Sequence, residues 1–133
     1  MKGFIINLEQ ATLANTDFRR VLYTAKNSQL VLMCLKPGEE IGAEVHHLDQ
    51  FLRFEAGAGK AVLDGVETEI SDGYSVTVPA GTKHNFINTS ATEDLKLYTV
   101  YSPPEHKDGV IRRTKADAEN PDNAEEFEGK TTE

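Results

Sequence analysis

Lys60-Ala61-Val62-Leu63-Asp64-Gly65-Val66-Glu67-Thr68-Glu69-Ile70-Ser71-Asp72-Gly73-Tyr74-Ser75-Val76-Thr77-Val78 is the stretch that decides the fold. Asp64-Gly65 interrupts two short runs, and an Asp-Gly pair suits the type I′ turn, whose two central residues both need positive φ. Lys60 to Leu63 and Val66 to Ile70 are therefore predicted to pair as a hairpin. Asp72-Gly73 makes a second break, Tyr74 to Val78 a further strand, and Pro79-Ala80-Gly81 a third break.

The same rhythm continues outward. Upstream, Gln50 to Glu55 and Ile41 to His47 are predicted strands. Gln29 to Lys36 is a nearly continuous apolar run closed by Pro37-Gly38, the signature of a strand buried on both faces. Downstream, Asn85 to Asn88 and Leu95 to Tyr101 complete the set. Short strands with Gly and Pro punctuation at this spacing predict an all-β barrel or sandwich. Gly3 to Leu8 and Phe18 to Thr24 are predicted to add one or two strands. The domain is expected to cover residues 1–115, with its core in 29–102. Pro103-Pro104 ends the barrel. Residues 116–133 hold too few apolar side chains to offset their ordering entropy, so they are expected to form a polar, flexible tail unless they dock.

The 133 residues carry a net charge of −8, with no large basic cluster, which argues against a nucleic-acid partner. No run approaches the ~20 apolar residues of a spanning helix. The apolar N-terminal stretch is short and ends at Glu9. No membrane partner and a cytoplasmic location are expected. The single cysteine, Cys34, excludes an internal disulfide and lies in an apolar run, where it reads as a small buried hydrophobe.

Four side chains with metal-ligand atoms stand out. Glu44 and His46 are two apart on a predicted strand and share a face. Gln50 opens the next strand, and His84 follows Pro79-Ala80-Gly81. In a closed barrel, neighbouring strands can bring all four to the inner wall. Leu52 and Phe54 share the parity of Gln50, and Phe86 that of His84, so these three are expected to line the pocket. Polar groups facing an apolar interior are costly unless paired or metal-bound. His47 and Arg53 should point outward, and only one of Tyr98 and Tyr101 can face in. His106 reads as a surface or tail-packing residue.

Two spaced patterns carry a resemblance: Gly38-x5-Glu44-x-His46-x3-Gln50-x6-Gly57, and Gly73-x5-Pro79-x-Gly81-x2-His84-x3-Asn88. On these the chain resembles the cupin superfamily. That resemblance implies a double-stranded β-helix (jelly-roll) barrel, usually a homodimer, with one divalent metal ion at its centre. The usual first motif has His where this chain has Glu44 and Glu where it has Gln50, so the formal charge of the ligand set is kept. A donor set of two imidazoles, a carboxylate and an amide oxygen suits zinc, iron, manganese or nickel. It is similar in inventory to the zinc shell of the phosphomannose isomerase branch, with the Glu and Gln exchanged in order.

Two classes of function follow. One is a metalloenzyme acting on a small oxygenated carbonyl substrate, as a dioxygenase or as a sugar-type isomerase with Glu44 as a base. The apolar residues expected in the pocket favour the dioxygenase. The other is a non-catalytic module that binds a small molecule or a metal.

Overall fold

The computed structural model describes residues 2–123 and 125–133. Its strands are β1 (Arg19–Thr24), β2 (Gln29–Leu35), β3 (Asp49–Ala56), β4 (Ala58–Leu63), β5 (Val66–Ser71), β6 (Ser75–Val78), β7 (His84–Asn88), β8 (Leu95–Ser102) and β9 (Ile111–Arg112). Two short helices, α1 (Leu8–Ala14) and α2 (Lys115–Glu119), and a 3-10 turn at Pro121–Asn123 complete the chain. The predicted hairpin forms between β4 and β5, with Leu63 opposite Val66. Asp64 and Gly65 take φ of 47° and 83°, as the turn chemistry requires.

Strands pair antiparallel in two sheets, ordered β6-β3-β8-β2-β1-β9 and β5-β4-β7. This is the all-β barrel that the strand rhythm predicts, in the jelly-roll form that the resemblance implies. The inward positions of facing strands fill the space between the sheets: Val31, Met33 and Leu35 from β2, Leu52 and Phe54 from β3, Phe86 from β7, Leu95 and Leu97 from β8. The Phe54 and Phe86 rings meet with centroids 5.8 Å apart. Leu52, Phe54 and Phe86 are each 0% exposed and belong to this packed core. Cys34 is buried as expected, and burial first, with Asp94 adding, pushes its thiol up to about 11.

Three expectations are corrected. Gly3 to Leu8 makes no strand; helix α1 starts at its end, where the Asn7 side chain caps it by accepting from the Gln10 N–H at 3.1 Å. Thr12 anchors that helix, fully buried. Ile41 to His47 is not a continuous strand. It touches β7 through two isolated bridges, Glu40 to Ile87 and Glu44 to His84. Gly42, at φ 106°, turns the backbone between them, and its N–H is taken by the Asn85 side chain at 2.8 Å instead of by a ladder carbonyl. Residues 116–133 are expected as a polar, flexible tail unless they dock, and the described residues among them lie back on the barrel. Lys107 N–H donates to Glu125 O (2.6 Å), Phe127 N–H to Glu105 O (2.9 Å) and Thr132 N–H to Thr24 O (2.9 Å). Backbone pairing and ion pairs hold this segment, so its lack of apolar residues did not decide its fate.

Gly57 sits at φ 93°, and a side-chain carbon there would press into the carbonyl oxygen of Asp94. The obstacle is backbone and cannot rotate away. Gly57→Ala is expected to destabilise the fold by about 2 kcal/mol, read as a lower urea midpoint at unchanged slope.

Candidate metal centre

The bridge between the Glu44 loop and β7 builds the site. Glu44 N–H donates to His84 O and His84 N–H to Glu44 O, both at 2.9 Å, so the two residues form a directly opposed pair. Side chains of such a pair leave the same face about 5 Å apart. His46, two residues on, joins them and is held by Gly81 N–H donating to its carbonyl at 2.8 Å. The His46 and His84 rings lie 5.0 Å apart. One ligand atom from each of Glu44, His46 and His84 falls within a common span of 4.8 Å.

The donors have the chemistry a cation needs. His84 Nδ1 lies 2.9 Å from the Thr82 carbonyl oxygen; donating there would leave Nε2 as the free lone pair. His46 Nε2 is 2.9 Å from Glu44 Oε2, yet it is buried without a well-aligned hydrogen-bond partner. Such an approach is what two ligands converging on a third point produce. Gln50, on β3 opposite Tyr101 and Val78, is 3% exposed. Its amide nitrogen donates to Thr99 Oγ1 at 3.0 Å, while its Oε1 is buried with no partner. An orphaned buried amide oxygen is the donor a fourth ligand would supply, so the residues fit a divalent ion.

Electrostatics follow from the same contacts. Burial works to raise the Glu44 carboxyl, but the His46 hydrogen bond and nearby His46, Arg19 and His84 charges leave it below the usual carboxylate range. His46 is raised, first by Glu44, with burial opposing and Glu105 adding. Burial pushes Glu105 above the usual range, with His46 opposing at a 3.7 Å separation between His46 Nδ1 and Glu105 Oε1.

A cavity of about 220 Å³ opens on these groups, walled by Phe18, Arg19, Ile41, Glu44, His46, Glu105 and His106, and closed by Ala118, Glu119, Glu125 and Glu126. Leu52, Phe54 and Phe86, expected on its lining, are instead core beneath it. The polar mouth loops and the docked C-terminal segment supply the walls. Tyr101 is the inward tyrosine: it is buried, its ring edge-on to His46, while Tyr98 is partly exposed. His47 is exposed as expected. Sequence reading missed Arg19, Glu105 and Glu125 as site residues and placed His106 outside; His106 is buried at the cavity wall, with Nε2 3.3 Å from the Tyr101 hydroxyl. Only the Glu105 to Ile111 segment, ambiguous after Pro103-Pro104, carried a hint.

The family pattern described as Cupin domain matches residues 31–101. The chain belongs to the cupin superfamily. This cupin is similar to the uncharacterized protein YrkC of Bacillus subtilis (strain 168), 44% identical over 124 residues, which are 88% of this chain and 66% of the relative. It thus spans just under two-thirds of that relative's length. It is also similar to the uncharacterized protein L612 of Acanthamoeba polyphaga mimivirus, 43% identical over 113 residues, 81% of this chain and 70% of the relative. The crystal structure of BH2720 from Bacillus halodurans superposes with a TM-score of 0.85 at 43% identity, covering 88% of this chain and 93% of that one. An RmlC-like cupin from Shewanella frigidimarina (TM-score 0.60, 22% identity, 65% of this chain and 75% of that one) shares the fold. Among the described residues no helix is long and apolar enough to cross a membrane.

Proposed function

We propose that this cupin is a metalloenzyme that moves a proton on a small oxygenated carbonyl substrate, with one divalent ion held by Glu44, His46, His84 and Gln50. The observation that carries this reading is the cavity wall. It is built mainly of carboxylates, imidazoles and Arg19, with Phe18, Ile41 and Ala118 among them, while Leu52, Phe54 and Phe86, which favoured a dioxygenase, lie in the core. A wall of this kind suits a polar substrate and proton transfer.

When bound, the ion supplies positive charge that polarises a carbonyl oxygen. The chain's residues do the rest. Glu44 neutralises one unit of the ion's charge. Thr82 fixes the His84 tautomer through its carbonyl. Glu105 lines the cavity beside the ligand cluster without belonging to it, and is the group positioned to take and return a proton. Ala118, Glu119, Glu125 and Glu126 wall one side of the cavity.

Solvent exchange tests this. The metal-loaded protein, incubated in D₂O with a panel of hydroxyketones, aldoses and 2-oxo acids, is expected to exchange the proton next to the carbonyl of one class, seen by NMR. Glu105→Gln should slow that exchange by about 100-fold or more with metal content unchanged. Binding without exchange by any member would favour the non-catalytic module and sink the enzyme reading.

A further inference from the structure

A second polar cluster adjoins the ligand residues in the same cavity. Glu125, from the docked C-terminal segment, faces Arg19 Nη1 with Oε1 and sits 3.3 Å from His106 Nδ1, while its Oε2 accepts from Arg112 Nε at 3.0 Å. One carboxylate therefore gathers two guanidinium groups and an imidazole from three separate parts of the chain. Arg19 is 7% exposed, lines the cavity, and its Nε is buried with no hydrogen-bond partner. Glu125 takes a single prong of a planar fork built to hold a carboxylate by two. A buried guanidinium so under-used is an open demand for a second oxygen.

We propose that Arg19, supported by Arg112 and His106, is a carboxylate-binding subsite beside the metal ligands, and that Glu125 is its resident internal competitor. The substrate is then a small carboxylate, whose carboxylate group displaces Glu125 while its other oxygens face His46 and Glu44. Nε is buried and Glu125 holds Nη1, so a ligand carboxylate spanning both nitrogens requires Glu125 to let go. The cavity, at about 220 Å³, has room for roughly seven water molecules at ~30 Å³ each, which limits the ligand to a few carbons. A singly charged carboxylate is favoured over a doubly charged phosphate, because Glu44, Glu105 and Glu126 stand on the same wall. The substrate class rests on the proposed function; the subsite itself does not.

Calorimetry with pyruvate and with inorganic phosphate tests it, on the wild-type chain and Glu125→Gln, each with zinc and after chelation, with metal content measured on every sample. Pyruvate is expected to bind Glu125→Gln about tenfold tighter or more, the equivalent of one charge-assisted hydrogen bond, with or without zinc. Arg19→Lys should lose that gain, and phosphate should gain less. If Glu125→Gln does not fold, Glu125→Asp, retracted by one methylene, must show the same direction of change. Equal pyruvate affinity in wild type and variant, or an equal gain for phosphate, overturns the subsite. A wild-type chain that takes up no zinc on supplementation, while Glu125→Gln still shows the pyruvate gain, removes the metalloenzyme reading and leaves the subsite standing; stoichiometric zinc without the gain does the reverse.

Discussion

His84→Ala is expected to take the purified protein from about one divalent ion per chain to nearly none, an affinity loss above ~100-fold. Loss of an outer partner of a metal ligand alone costs ~10–100-fold, and His84 is the member of the cluster fixed from both sides. Its backbone exchanges two hydrogen bonds with Glu44, and its ring contacts the Thr82 carbonyl through Nδ1. Removing the imidazole leaves Glu44, His46 and the neutral amide oxygen of Gln50, too weak a set to hold an ion against exchange. Gln50→Ala should lose less, roughly tenfold, because it removes a single neutral donor. His47→Ala, on an exposed neighbour, should keep full metal content. Elemental analysis after gel filtration, with circular dichroism to verify folding, reads all three. A wild-type chain that takes up no transition metal after supplementation would end the metal reading, and an unchanged His84→Ala would remove His84 from it.

The second large effect lies at the other end of the cavity. Glu125→Ala is expected to destabilise the fold by about 3 kcal/mol, because it leaves the buried Arg19 and the half-buried Arg112 without their shared anion. In a domain of this size that corresponds to a fall in Tm of roughly 10 °C. The same contacts set a pH dependence. Burial works against the Glu125 carboxylate, but the His106 hydrogen bond and the charges of Arg19, His106 and Arg112 hold its pKa below the usual range. Burial, with Arg19 adding, pushes His106 below its ordinary value, against the pull of Glu125. Both folded-state pKa values are depressed, so each group contributes stability that is present above its unfolded pKa and lost as pH falls. His106 should therefore lower stability on acidification from about pH 6.5 and Glu125 below about pH 4.3, while His46, raised by Glu44, works the opposite way in the upper range. Thermal melts at pH 7.5, 5 and 4 check this, and Glu125→Ala should flatten the lower arm. A Tm unchanged by the substitution would show that the Glu125 ion pairs contribute nothing to stability.

Most strands were legible because turn chemistry is local. Asp64-Gly65 marks a hairpin end, Asp72-Gly73 and Pro79-Ala80-Gly81 mark strand ends where the chain crosses between the sheets, and the alternation of Gln50, Leu52 and Phe54 names the inward face of β3. Helix α1 was misread because Phe4, Ile5 and Ile6 suggested a strand, while the deciding signal was the Asn7 cap followed by Leu8 to Ala14, all compatible with a helix. The segment from Ile41 to His47 alternates like a strand, but Gly42 spends its hydrogen bond on a side chain. That break cannot be seen without the Asn85 partner.

The candidate ligand residues were legible in the sequence: Glu44, His46 and His84, which the structure brings together, and Gln50, the proposed fourth, were singled out by parity, turn position and the cost of burying polar groups. Tertiary structure alone decided what surrounds them. The apolar residues of matching parity, Leu52, Phe54 and Phe86, went to the core because the two sheets close tightly beneath the site. The cavity wall came from charged residues far apart in the chain. Arg19 and Glu125 stand 106 positions apart, and an ion pair over that separation leaves no periodicity or spacing to read. Local rules reach the candidate ligands because each lies within a short segment whose parity or turn can be read; the polar wall depends on where the C-terminal segment comes to rest.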